Sequence, residues 1–144
     1  MCQPREYELS NIEAAVNQLD WAIRLFLDHN ACIPAITLAG AAEEIIGKAI
    51  GERRANAAIN KHLADELSLS EKKVSTEHTN FAKNWLKHGG GLAASQKTRV
   101  FLADEAIQYI VRALTNLANY DGSCPSQAPR FWAWMEANRR DLMG

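Results

Sequence analysis

The chain is 144 residues long, carries a formal net charge of -1 and is 47% hydrophobic. That length suits one domain with a proper core and is short for two. Near-neutrality excludes a generally basic protein that coats nucleic acid, while leaving room for a local basic patch.

No apolar run approaches the ~20 residues needed to cross a membrane. The opening Met1-Cys2-Gln3-Pro4-Arg5-Glu6 lacks the basic-then-apolar pattern of a secretory signal. Cys2, Cys32 and Cys124 are odd in number, far apart and never spaced C-x-x-C. A disulfide framework or a thiolate zinc site is therefore not expected, and the cytoplasm is the expected compartment.

Ser10-Asn11-Ile12-Glu13 fits a capping box, with Ser10 as the cap and Glu13 reaching back to it. Leu9, Ile12, Val16, Leu19, Ile23 and Phe26 then recur at spacings of three and four, which predicts a helix over about 10–30. Asp20, Arg24 and Asp28 fall on another face at i, i+4 and read as surface pairs. Pro34 suits the first turn of a second helix, about 34–50, which Gly51 closes. Within it Gly40 and Gly47 each cost helix stability by roughly 1 kcal/mol, so another backbone is expected to pass close. Glu43 and Glu44 point about 100° apart. At most one of them faces inward, where Lys83, Lys87 or His88 is its expected partner.

A third helix is expected over about 56–67, then a polar stretch, then helix over about 75–88 with Phe81, Trp85 and Leu86 packed inward. Residues 89–98, opening with three glycines, read as a mobile loop. Ile107, Ile110, Val111, Leu114, Leu117 and Ala118 give the apolar stripe of a long helix at about 104–120. A turn-rich connector at 121–129 leads to a short aromatic helix at 130–142, expected to dock on the bundle or on a second subunit. No alternating strand pattern appears, and alanine occurs 23 times against 4 for valine. The expected fold is all-α and a single domain over 1–144: an antiparallel bundle of four to five main helices at 10–120, followed by the aromatic helix.

For chemistry, no G-x-x-x-x-G-K-[ST], strand-following G-x-G-x-x-G or G-x-S-x-G is present. None of the four histidines sits three after a glutamate, as a di-iron bundle requires. The concentrated polar stretch is Phe81-Ala82-Lys83-Asn84-Trp85-Leu86-Lys87-His88, followed by Gly89-Gly90-Gly91. On a helix Asn84 and His88 share a face, with Lys83 at its margin. Over residues 71 to 99, six Lys and Arg oppose Glu71 and Glu77, a local +4 before His78 and His88 are counted. Cleaving RNA without a metal needs a group to take the 2′-hydroxyl proton, a group to protonate the leaving 5′-oxygen, and a cation on the phosphate. A histidine can serve either proton transfer and a lysine can steady the charge. His88, Lys83 and Asn84 are thus the candidate catalytic residues, with Lys87, Trp85 and Glu44 as further substrate contacts, and no metal or cofactor is called for.

Lys83-Asn84-Trp85-Leu86-Lys87-His88-Gly89 resembles the R-x4–6-H motif of the HEPN superfamily (higher eukaryote and prokaryote nucleotide-binding domains), often read as Arg-Asn-x-x-x-His-Gly. The order of two long helices before the motif and one after it is also similar, so the resemblance covers about 10–120. It implies a dimeric ribonuclease of the toxin–antitoxin or defence type, with residues of both subunits lining one cleft and an antitoxin or other protein as a partner. His88 stands at the catalytic histidine position, Asn84 at its polar neighbour, and Lys83 where arginine belongs. That departure removes the planar fork that grips a phosphate bidentately. The alternative reading is a non-catalytic helical interaction module. Ranked behind both is a small-ligand site between helices using Glu43 or Glu44 with His88.

Overall fold

The computed structural model describes residues 4–89 and 94–144. Ser10 starts α1 (Asn11–His29): its hydroxyl accepts from the Glu13 N–H at 3.1 Å, and Glu13 Oε2 accepts from the Ser10 N–H at 2.7 Å. The exchange satisfies two donors that a helix start otherwise leaves open. Leu19, Ile23 and Phe26 lie on the buried stripe, whereas Leu9 precedes the helix and is exposed. Asn30 ends α1 in the left-handed conformation (φ 50°), and α2 (Cys32–Ile50) begins two residues later. Pro34 falls in its first turn, where a missing N–H breaks no helical bond.

Along its length α2 packs against both α1 and α6 (Leu102–Asp121), and these three helices carry most of the apolar core. The fold is all-α, and the described residues contain no strand. Among them, no helix is long and apolar enough to cross a membrane.

The C-terminal helix α7 (Ala128–Asn138) docks on its own bundle, against α1. Phe131 and Met135 are buried, and the Phe26 ring meets Trp134 edge-on with centroids 4.9 Å apart. Asp20 and Asp28, expected as surface pairs along α1, instead hold this tail. Asp20 accepts from the Gln127 N–H at 3.0 Å and from the Ser126 hydroxyl at 2.9 Å, and Asp28 pairs with Arg130. Arg24 lies over the Trp21 ring instead of joining them.

Across α2 and α6 lies a second, more polar group: α3 (Ala55–Leu67), the one-turn α4 (Glu71–Val74), a π-helical turn at Ser75–Thr79, and α5 (Phe81–His88). The continuous helix expected over 75–88 is thus interrupted at Asn80. The wide turn carries one more residue than an α-turn, so it changes which side chains α5 turns toward the core. Ala82 and Lys83 are buried, while Phe81 is exposed and Trp85 half-buried, contrary to the inward packing expected of both aromatics. Gly89, with φ 66°, ends α5 in a conformation that favours glycine. Of the expected 89–98 loop, 90–93 lie outside the described residues, and 94–101 form no helix.

Candidate functional site

Behind α5 runs a buried polar network built on the side of α6 that faces it. Tyr109, Arg112 and Asn116 are spaced three and four apart, so they form one polar seam on an otherwise apolar helix. At the π/α junction the helical bond from the Lys83 N–H to the Thr79 carbonyl is missing, and the Tyr109 hydroxyl takes its place. That hydroxyl accepts from the Lys83 N–H at 3.3 Å and donates to the Thr79 carbonyl at 3.0 Å. Arg112 donates to the same carbonyl at 2.7 Å, to Asn80 Oδ1 at 2.9 Å and to Glu43 Oε1 at 3.1 Å. Its guanidinium also sits over the Tyr109 ring, 4.9 Å from the centroid. Asn116 donates to the Glu43 carbonyl at 3.2 Å and accepts from the Ala55 N–H at 2.7 Å. The latter contact satisfies an open donor at the start of α3, whose own first residues supply no capping side chain.

Glu43 is therefore the inward-facing carboxylate of the Glu43–Glu44 pair, and its partner is Arg112 rather than Lys83, Lys87 or His88. Glu44 is partly exposed and binds two lysines, Lys83 at 3.4 Å and Lys48 at 3.3 Å. Burial opposes ionisation of Glu44, but the charge of Lys83 and the hydrogen bond and charge of Lys48 outweigh it and hold the carboxyl below its ordinary range.

Lys83 reaches Glu44 through a seat made by Gly40. A Cβ at Gly40 would lie 2.4 Å from Lys83 Cδ and 2.7 Å from Cγ. What comes close here is a lysine stem, not the backbone expected from the glycines. Gly47 is likewise met by the side chains of Asn116 and Arg54. Gly40→Ala should therefore expel Lys83 and lower stability by about 1–3 kcal/mol, less the roughly 1 kcal/mol that alanine returns in helix propensity. Urea denaturation of a double-mutant cycle checks it: with Lys83→Ala already in place, Gly40→Ala should be neutral or stabilising. Equal losses in both backgrounds would disprove the seat.

The network also predicts an alkaline transition. Burial pushes the Tyr109 phenol up to about 12, whereas it ionises near 10 in an unfolded chain. A raised folded-state pKa means the contribution is complete below pH 10 and is lost as the pH climbs from 10 to about 12. Over that window wild type should lose about 2–3 kcal/mol more than Tyr109→Phe, a comparison that cancels the titration of lysines. Parallel denaturation curves for the two would contradict it.

In front of the network lies a cavity of about 310 Å³ between α2, the start of α3, the π-turn and α5. Of the residues singled out from sequence, Lys83, Asn84 and Glu44 line it together. Asn84 also borders a neighbouring groove that holds Phe81 and Trp85. His88 and Lys87 are exposed at the end of α5 and do not line either concavity. One turn separates His88 from Asn84 on the same helical face. The sequence reading missed Arg112, Tyr109, Asn116 and the cavity residues Arg54, Asn56 and Asn80. The polar seam at 109, 112 and 116 was the available signal for the first three. No match to this chain is found among protein-family models, curated proteins or solved structures.

Proposed function

We propose that this chain is a HEPN-like RNA-binding protein that takes the phosphodiester backbone at the end of α5, with His88 as the proton-transferring group of a metal-independent endonuclease. The observation that carries this reading is the position of Asn84. Its side chain opens onto the polar cavity, and the exposed His88 follows one turn later on the same face. In this scheme a phosphodiester runs from Asn84 at the cavity toward His88 at the helix end. Lys83, buried and already paired with Glu44, sets the position of α5 in this scheme, and the exposed Lys87 supplies the cation toward the backbone. One histidine serves one proton transfer. A homodimer bringing two α5 ends together would supply the second.

Single-stranded RNA incubated in EDTA with wild type, His88→Ala, Lys87→Gln and Asn84→Ala tests the reading. Binding should weaken several-fold for Lys87→Gln and Asn84→Ala, and cleavage should fall by roughly 10²–10⁴ for His88→Ala. Wild-type protein that neither binds nor cuts would end the proposal. The burial of the motif cation favours a second reading, a non-catalytic helical interaction module that holds RNA without cutting it. Its signature in the same assay is RNA bound and left intact by every variant.

A further inference from the structure

The inner half of the polar cavity has a chemistry of its own. The Arg54 stem crosses α2 at Gly47, with its Cδ 3.5 Å from where a glycine Cβ would stand. No carboxylate among the described residues reaches ion-pair distance of its guanidinium, and its Nε is buried with no acceptor. Beside it Asn56 is only 9% exposed, and its Oδ1 is buried with no donor. Both residues line the same small polar cavity, and two unpartnered buried polar atoms there are a departure from the rule that buried polar groups find partners.

Charge narrows what would satisfy them. The cavity is lined by Lys48, Arg54 and Lys83, with Arg112 directly behind Glu43. Glu43 answers Arg112, and Glu44 is shared by Lys48 and Lys83, so Arg54 is the cation of the lining with no carboxylate at ion-pair distance among the described residues. A carboxylate or a phosphodiester would bring only two unesterified acceptor oxygens to this cation and to the amides around it. A phosphate monoester carries about -1.5 to -2 at neutral pH and offers three acceptor oxygens. The planar guanidinium of Arg54 suits two of those oxygens. The amides of Asn80 and Asn84 and the Lys83 ammonium surround the rest of the space. A hydroxyl adjoining the phosphate would supply the donor that Asn56 Oδ1 lacks.

We infer that this cavity binds a terminal phosphate monoester, with Arg54 as its principal charge partner and Asn56 accepting from a neighbouring hydroxyl. Such a group ends a 5′-phosphorylated RNA and also occurs on small metabolites. The site therefore stands whether or not α5 cleaves RNA.

Calorimetric titration at constant ionic strength tests it with inorganic phosphate, glycerol phosphate, acetate, and one oligoribonucleotide bearing either a 5′-phosphate or a 5′-hydroxyl. Phosphate and glycerol phosphate should bind and acetate should not. Arg54→Met, which keeps the stem, should weaken binding at least tenfold, while Lys72→Gln, at an exposed position of α4, should leave it unchanged. Binding should also decline as pH falls through about 6, where the phosphate gains a proton. A 5′-phosphate that tightens oligonucleotide binding through Arg54 identifies an RNA end as the source. Oligonucleotides that bind alike or not at all, beside Arg54-dependent glycerol phosphate, identify a metabolite. No phosphate binding beyond that of acetate, or Arg54→Met binding as tightly as wild type, overturns the assignment.

Discussion

Arg112→Leu should destabilise the fold by about 3–5 kcal/mol, the range for removing one partner of a buried ion pair. Glu43 and Arg112 are each about 2% exposed, so water cannot replace the lost guanidinium. The substitution strips one donor from the Thr79 carbonyl, one from Asn80 Oδ1 and, among the described residues, the one ion-pair partner of Glu43. Adding Glu43→Met removes the stranded carboxylate, and the double variant should recover a large part of the loss, since an apolar pair of similar volume is often no worse than a buried ion pair. Urea midpoints of the three proteins measure this. A single-variant loss below about 1 kcal/mol, or no recovery in the double variant, would mean that the network does not join α6 to α2 and the π-turn.

The second large effect belongs to α7. Phe131 is fully buried, with its ring 6.2 Å from that of Phe26, and Phe131→Ala should cost about 3–5 kcal/mol by the usual sum of lost transfer energy and residual cavity. Because α7 packs on its own bundle, the loss should be the same at low and high protein concentration. A loss that vanishes on dilution would instead tie the aromatic helix to contacts between copies. The Asp28–Arg130 pair on the same tail is exposed and should contribute little beside the aromatic core.

Where apolar spacing alone decides structure, the sequence was easy to read. The Ser10 box, the seam from Ile12 to Phe26 and the stripe from Ile107 to Leu117 are local patterns whose periods survive folding unchanged. The errors cluster where a polar partner from a distant helix overrides the period. Apolar spacing turns Phe81 and Trp85 inward on a continuous helix, but the insertion of the Tyr109 hydroxyl at Thr79 and Lys83, made by a residue 26 to 30 positions away, has no signature in the 75–88 stretch. Gly40 betrayed a close approach, yet nothing in its neighbourhood told a lysine stem from a backbone. At the candidate site, the motif residues Lys83 and Asn84 were visible as a cluster, and Glu44 as one of two carboxylates. Arg54 and Asn56 were hidden because their significance lies in what they fail to contact.

The wide turn at Ser75–Thr79 acts as a phase setter for everything that follows it on α5. Each residue advances a helix by roughly 100°, so deleting one position there would restore an ordinary turn and rotate Lys83 and Asn84 by more than a quarter circle. The lysine would leave its glycine notch and the asparagine would no longer open onto the cavity, although no motif residue had been altered. In this chain one surplus residue in the stretch before the motif decides which way the motif points.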